Sequence, residues 1–228
     1  MGEISRASNP ADNSIVLDDL ITVLSSLAHT RQDQDLIVST LKALDSRYAL
    51  SQKIARAPGL EEIIEQLVGR IYQAYGSIAT LKGQRVLDIA CGSNTSKAHS
   101  SVFVNTLFRE RRIPIPRKEG YTAQFEPWFC RILLELGGHP VGVDRGDLDA
   151  EAFEYYNVDL GRPGALSFLP DHSFDAVQDS RLFGSPEFTA QYPRQVDRRK
   201  VAAEIWQQEQ RLLKTGGIVI HSDAANLL

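Results

Sequence analysis

Apolar residues follow two kinds of spacing along this chain, and the change between them divides it. The first part is helical in period. Leu17, Leu20, Ile21, Leu24, Leu27 and Ala28 fall on one face. Leu36, Ile37, Thr40, Leu41, Leu44 and Tyr48 repeat that spacing, and Pro58-Gly59 breaks it. Leu60, Ile63, Ile64, Leu67, Val68, Ile71, Tyr75 and Ile78 then give a longer stripe. Three helices are predicted over residues 15–81, packed through these faces. Residues 1–14 carry no periodic pattern and read as a mobile tail.

From Lys82 onward, short apolar runs alternate with helical stripes. Val86 to Ala90 reads as a strand buried on both faces. Phe125, Phe129, Ile132, Leu133 and Leu136 mark a crossover helix, stopped by Gly137-Gly138. H-P-V-G-V-D, ending at Asp144, is the second strand, and E-Y-Y-N-V-D-L a third, ending at Asp159. Phe174 to Asp179 is the fourth. Ala202, Ile205, Trp206, Glu209, Leu212 and Leu213 mark a helix with one acidic member on its face. The sequence K-T-G-G reads as the turn into a fifth strand, Ile218 to Ser222. Strands alternating with helices predict an α/β, doubly wound, mostly parallel sheet.

Bulk properties narrow the picture only a little. At 228 residues the chain can bury a sizeable core. A net charge of −4 gives no strong nucleic-acid signal. No apolar run is long enough to span a membrane. The polar start lacks a secretion signal, which predicts a cytoplasmic protein. Cys91 and Cys130 are too few for a disulfide framework or a zinc site. A reduced pair fits that compartment.

The chemistry centres on R-V-L-D-I-A-C-G-S-N, from Arg85 to Asn94. Asp88 interrupts a buried apolar run, and such a carboxylate is costly unless something binds it. Gly92 then opens a small-residue turn where backbone N–H groups can approach a ligand. This stretch resembles the first motif of class I S-adenosylmethionine-dependent methyltransferases, D/E-x-G-x-G-x-G. Ala90, Gly92 and Asn94 hold its three glycine positions, so two of them depart from the pattern. The resemblance extends from about Lys82 to Asp223 and implies a Rossmann-like sheet in the order 3-2-1-4-5. Asp144, Asp159 and Asp179 each fall at a strand end, where ligands bind in open α/β sheets. Asp144 lies much farther along than the ~20 residues usual after such a turn. Residues from about 95 to 122 are therefore an insertion, expected to form part of an acceptor pocket or a lid.

A carboxylate can accept from both hydroxyls of a ribose, which suits Asp144, with Arg145 beside it. The resemblance implies that Asp88 and the turn Ala90, Cys91, Gly92, Ser93 and Asn94 serve the amino-acid end of S-adenosylmethionine. It implies adenine contacts from Asp159 and Leu160, and contacts to the methionine portion from Asp179 and Ser180. No catalytic base is named by the sequence; His221 and His99 are the candidates. The implied reaction is methyl transfer to a small-molecule or modest acceptor. A methyltransferase-like binding module without turnover is the alternative. A nicotinamide-dependent oxidoreductase comes third, because that fold wants G-x-G-x-x-G. Only Ala224 to Leu228 follow Asp223, so the fifth strand is expected at a sheet edge that is covered by the amino-terminal helices or by a second copy in a homodimer, the latter favoured, unless the chain is one part of a longer protein.

Overall fold

A computed structural model describes residues 10–57, 59–94, 123–179, 182, 183, 188 and 191–220. Four helices come first: α1 (Pro10–Ser26), α2 (Arg31–Tyr48), α3 (Leu50–Arg56) and α4 (Leu60–Tyr75). Helix α1 begins inside the stretch expected to be a tail. A proline suits a first helical turn, where its missing N–H has no partner to lose. Thr30 caps α2 by accepting from the Asp33 N–H at 3.1 Å. Ala49, at a left-handed φ of 53°, turns the chain directly into α3. That helix was not foreseen, since seven residues hold too few turns to show a stripe. Gly76, at φ 72°, ends α4, and a 3₁₀ turn over Ile78–Leu81 follows. The buried Asp33 carboxylate joins the start of α2 to this turn, accepting from the Ser77 hydroxyl at 2.6 Å.

The sheet has five strands: β1 (Arg85–Ile89), β2 (His139–Asp144), β3 (Glu154–Asn157), β4 (Phe174–Gln178) and β5 (Leu213–Ile220). Every pair is parallel and the order is β3-β2-β1-β4-β5. This is the expected Rossmann-like α/β fold. Helix α5 (Trp128–Glu135) precedes β2 and α6 (Gln195–Leu212) precedes β5. Side chains alternate across the sheet. Val86 and Ala176 join a core with α1 to α5, while Leu87, Ile89, Val141, Val143 and Val177 join a second core with α6. Asp88 therefore shares the face of Val86.

Two strand limits differ from the sequence expectation. Strand β3 stops at Asn157, two residues before Asp159. Strand β5 starts at Leu213, so K-T-G-G lies inside it. Its register jumps from Phe174↔Leu213 to Ala176↔Ile218, with Gly216 at φ 79°. The extra residues bulge from the ladder, which glycine permits. Among the described residues no helix is long and apolar enough to cross a membrane.

Helix α6 carries Glu209 into the second core at 0% exposure, and neither carboxyl oxygen has a hydrogen-bond partner. Burial, and secondarily the charge of Asp179, pushes this carboxyl up to about 9. The folded state thus holds a proton that the unfolded chain releases above about 4.5. Stability must fall as pH rises between those two values. Glu209→Gln should remove that slope. Relative to the parent it should gain roughly 3 kcal/mol on going from pH 4 to pH 7, read from urea melts at a series of pH values.

Candidate functional site

The switch point of the sheet lies at β1, whose neighbours β2 and β4 run off in opposite directions. Asp88 stands in register with Gly142 of β2 and Gln178 of β4. It is buried, and it accepts from the Cys130 thiol at 3.4 Å and the Gln178 amide at 3.5 Å. Cys91 and Cys130 are both free, buried and hydrogen-bonded to one another. That bond draws the Cys91 thiol down, but burial and the charges of Asp88 and Asp144 outweigh it and push the thiol up to about 11. Burial likewise raises Cys130. Both side chains are thus protonated at neutral pH, as inert structural thiols are.

Past β1 the chain turns sharply. Ala90 takes φ 60° and Gly92 φ 105°. A Cβ on Gly92 would stand 2.1 Å from the Phe125 carbonyl oxygen, so only glycine fits. The same carbonyl accepts from the Ser93 N–H at 2.8 Å. Ser93 donates its hydroxyl to the Asp147 carbonyl at 2.5 Å. Asn94 donates to the Asp149 carbonyl at 2.6 Å and to Glu151 Oε1 at 2.8 Å, and accepts from the Asp149 N–H at 2.7 Å. The turn is thereby stitched to the β2–β3 connection.

Asp144 ends β2 half-exposed. Its Oδ2 accepts from the Gly92 N–H at 3.0 Å and its Oδ1 from the Gly146 N–H at 2.7 Å. These bonds fix the carboxylate in one orientation. Asp159 and Leu160, just past β3, are half-buried at the same edge. Asp179, just past β4, is buried, and its N–H donates to the Ile220 carbonyl at 3.4 Å. Ala90, Cys91, Gly92, Ser93, Asn94, Asp144, Arg145, Asp159, Leu160 and Asp179 thus all follow or end strands β1 to β4 on their carboxyl side. Ser180, His99, His221 and the insertion lie outside the described residues. His139 opens β2, and His172 precedes β4 with its Nδ1 2.8 Å from the Leu213 carbonyl. Both lie at the opposite, amino ends of the strands.

What the sequence did not reveal is the support beneath this edge. Arg131 of α5 is 2% exposed. It pairs with Glu126 at 2.5 Å and Glu151 at 2.6 Å. Its guanidinium also lies over the rings of Tyr48, at 4.1 Å, and Trp128, at 4.7 Å. Lys53 of α3 completes the group through Glu126 at 2.5 Å. One clue was present: an arginine inside the apolar run W-F-C-R-I-L-L requires buried carboxylates. Nothing in the sequence said which ones.

Neither protein-family models nor curated proteins show a match to this chain.

Removing one member of the buried group leaves its partners charged and dry, which costs about 3–5 kcal/mol. Arg131→Met should lose stability on that scale in chemical denaturation, while Arg194→Met, at the solvent-exposed ion pair with Asp197, should lose no more than about 1 kcal/mol. Gly92→Ala must displace the Phe125 backbone. Its melting temperature should fall by more than that of Gly83→Ala, where a Cβ meets nothing within 4 Å.

Proposed function

We propose that the carboxyl edge around β1 binds S-adenosylmethionine and that the chain transfers its methyl group to a small-molecule or other modest acceptor. The observation that carries this reading is Asp144. A half-exposed carboxylate, fixed by two backbone N–H groups beside the glycine turn, is suited to accept from a ribose diol. The surrounding charge agrees with it. Asp88, Asp144, Asp159 and Asp179 converge on one edge, and the cofactor offers a cationic sulfonium and an ammonium group.

The cofactor would supply an electrophilic methyl group. The chain's own part is alignment and exclusion of water, so that an acceptor atom meets that carbon in line. A neutral oxygen or nitrogen acceptor must also lose a proton, which calls for a base. Among the described residues no histidine stands at this edge. A module that binds without turnover is the second reading. The Phe125 carbonyl over Gly92 favours the form of this module that has lost the cofactor, because that carbonyl fills space the turn would otherwise offer.

Calorimetry with S-adenosylmethionine and S-adenosylhomocysteine tests binding, and release of labelled methyl onto a metabolite pool tests turnover. Asp144→Ala should weaken binding about ten- to a hundredfold for each hydrogen bond lost to the charged acceptor. Full affinity in a folded Asp144→Ala protein would falsify the assignment. Binding of neither compound, or binding without any labelled product, would favour the second reading.

A further inference from the structure

Strand β3, rather than β5, is the more open edge of the sheet. Ile218 and Val219 of β5 pack half-buried against the two cores. All four residues of β3 are exposed, and among the described residues the strand pairs with β2 alone. Parallel strands are ordinarily covered on both faces by crossover helices. The connections on either side of β3, residues 145–153 and 158–173, contain no helix. Tyr155 on one face of the strand is 39% exposed, and Tyr156 on the other is 36% exposed. Phe168, from the β3–β4 connection, is 49% exposed and packs edge-on against Tyr156, with ring centroids 4.8 Å apart. Exposed aromatic rings therefore gather at one open strand, a placement that marks an interaction surface.

The backbone of β3 decides what can pair with it. Just past the strand, the Val158 N–H donates to the Asp144 carbonyl of β2 at 2.7 Å. Alternation then turns the Tyr156 backbone groups toward β2 and those of Tyr155 and Asn157 outward. An antiparallel copy of the same strand meets this pattern about a two-fold axis through Tyr156. Tyr155 of each copy exchanges both N–H···O bonds with Asn157 of the other. The two Tyr156 residues stand directly opposite in a non-hydrogen-bonded pair, where side chains come closest. Each brings Phe168 with it, so aromatic rings close over the axis. Glu154, the one charged residue of β3, falls opposite Val158, so like charges do not face each other. We propose that β3 is a self-association surface, through which two copies of the chain join their sheets antiparallel with Tyr156 at the centre. Symmetric pairing of this kind protects an open edge. The homodimer expected at β5 is thereby moved to β3. Its surface is small, so association belongs to the weak, concentration-dependent class. Nothing in it depends on the cofactor reading.

Sedimentation velocity on the whole chain across a concentration series should show a monomer–dimer equilibrium. Tyr156→Glu sets two carboxylates face to face on the axis and should weaken the dimer about tenfold or more. Tyr155→Pro deletes an outward N–H, a change that an edge strand accepts, and should also weaken it. Melting curves check that both variants fold. Cross-linking reads the register and decides the matter if either variant does not. Tyr156→Cys places two thiols where Cα atoms stand about 4.5 Å apart, within disulfide range, so mild oxidation should give a covalent dimer. Glu154→Cys, opposite Val158, should give none under the same conditions, and the parent's own cysteines are buried. A parent that is monomeric at every concentration overturns the proposal. So does a dimer that both substitutions leave intact, or equal cross-linking from positions 154 and 156.

Discussion

A charged group shut away from water must be met on every side, and Arg131 is the place where this chain meets that demand. The guanidinium takes Glu126 from the segment before α5, Glu151 from the β2–β3 connection, and ring faces from Tyr48 and Trp128. The helical first part of the chain, the start of α5 and the loop under the glycine turn are all fixed by one side chain. The dependence continues outward. Because Glu151 is held, it can hold Asn94, and because Asn94 is held, the turn after β1 has a single shape. The geometry at the sheet edge is thus inherited from an ion group buried beneath it. Such groups add little net stability by comparison with apolar packing, but breaking them is expensive.

The sheet was legible because each strand carries its own signal. Val86, Leu87 and Ile89 are buried on both faces, and so their run is continuous and short. Asp88, Gly92 and Asp144 were legible for the opposite reason: each contrasts with its surroundings, as a carboxylate in a buried strand, a glycine after one, or an acid at a strand end. The support for the edge was not legible. Glu126, Arg131 and Glu151 are paired by the fold, and a side chain's partners cannot be read from spacing when they come from different loops. The turn at Gly92 was read as a place where backbone N–H groups approach a ligand; among the described residues the Gly92 N–H donates to Asp144 and the Ser93 N–H to the Phe125 carbonyl.

Among the described residues, carboxylates outnumber cations at the edge. Against the bond from Cys130, burial and then the charges of Asp88 and Asp144 hold Cys91 protonated, and burial and then Asp179 do the same for Glu209. Among the described residues, Arg131 is committed to Glu126 and Glu151, and Arg145 stands exposed just past β2.

The bond from the Ser93 N–H to the Phe125 carbonyl spans 2.8 Å, yet about thirty residues of chain run between those two groups. The described residues on either side of that span therefore meet at nearly one point. Each anchor has its own partners: Asn94 is bonded to the Asp149 carbonyl at 2.6 Å, and the Trp128 indole to the Ala123 carbonyl at 2.6 Å. The junction is closed by groups on its two described sides, so the edge keeps its shape through bonds that do not pass along the chain between them.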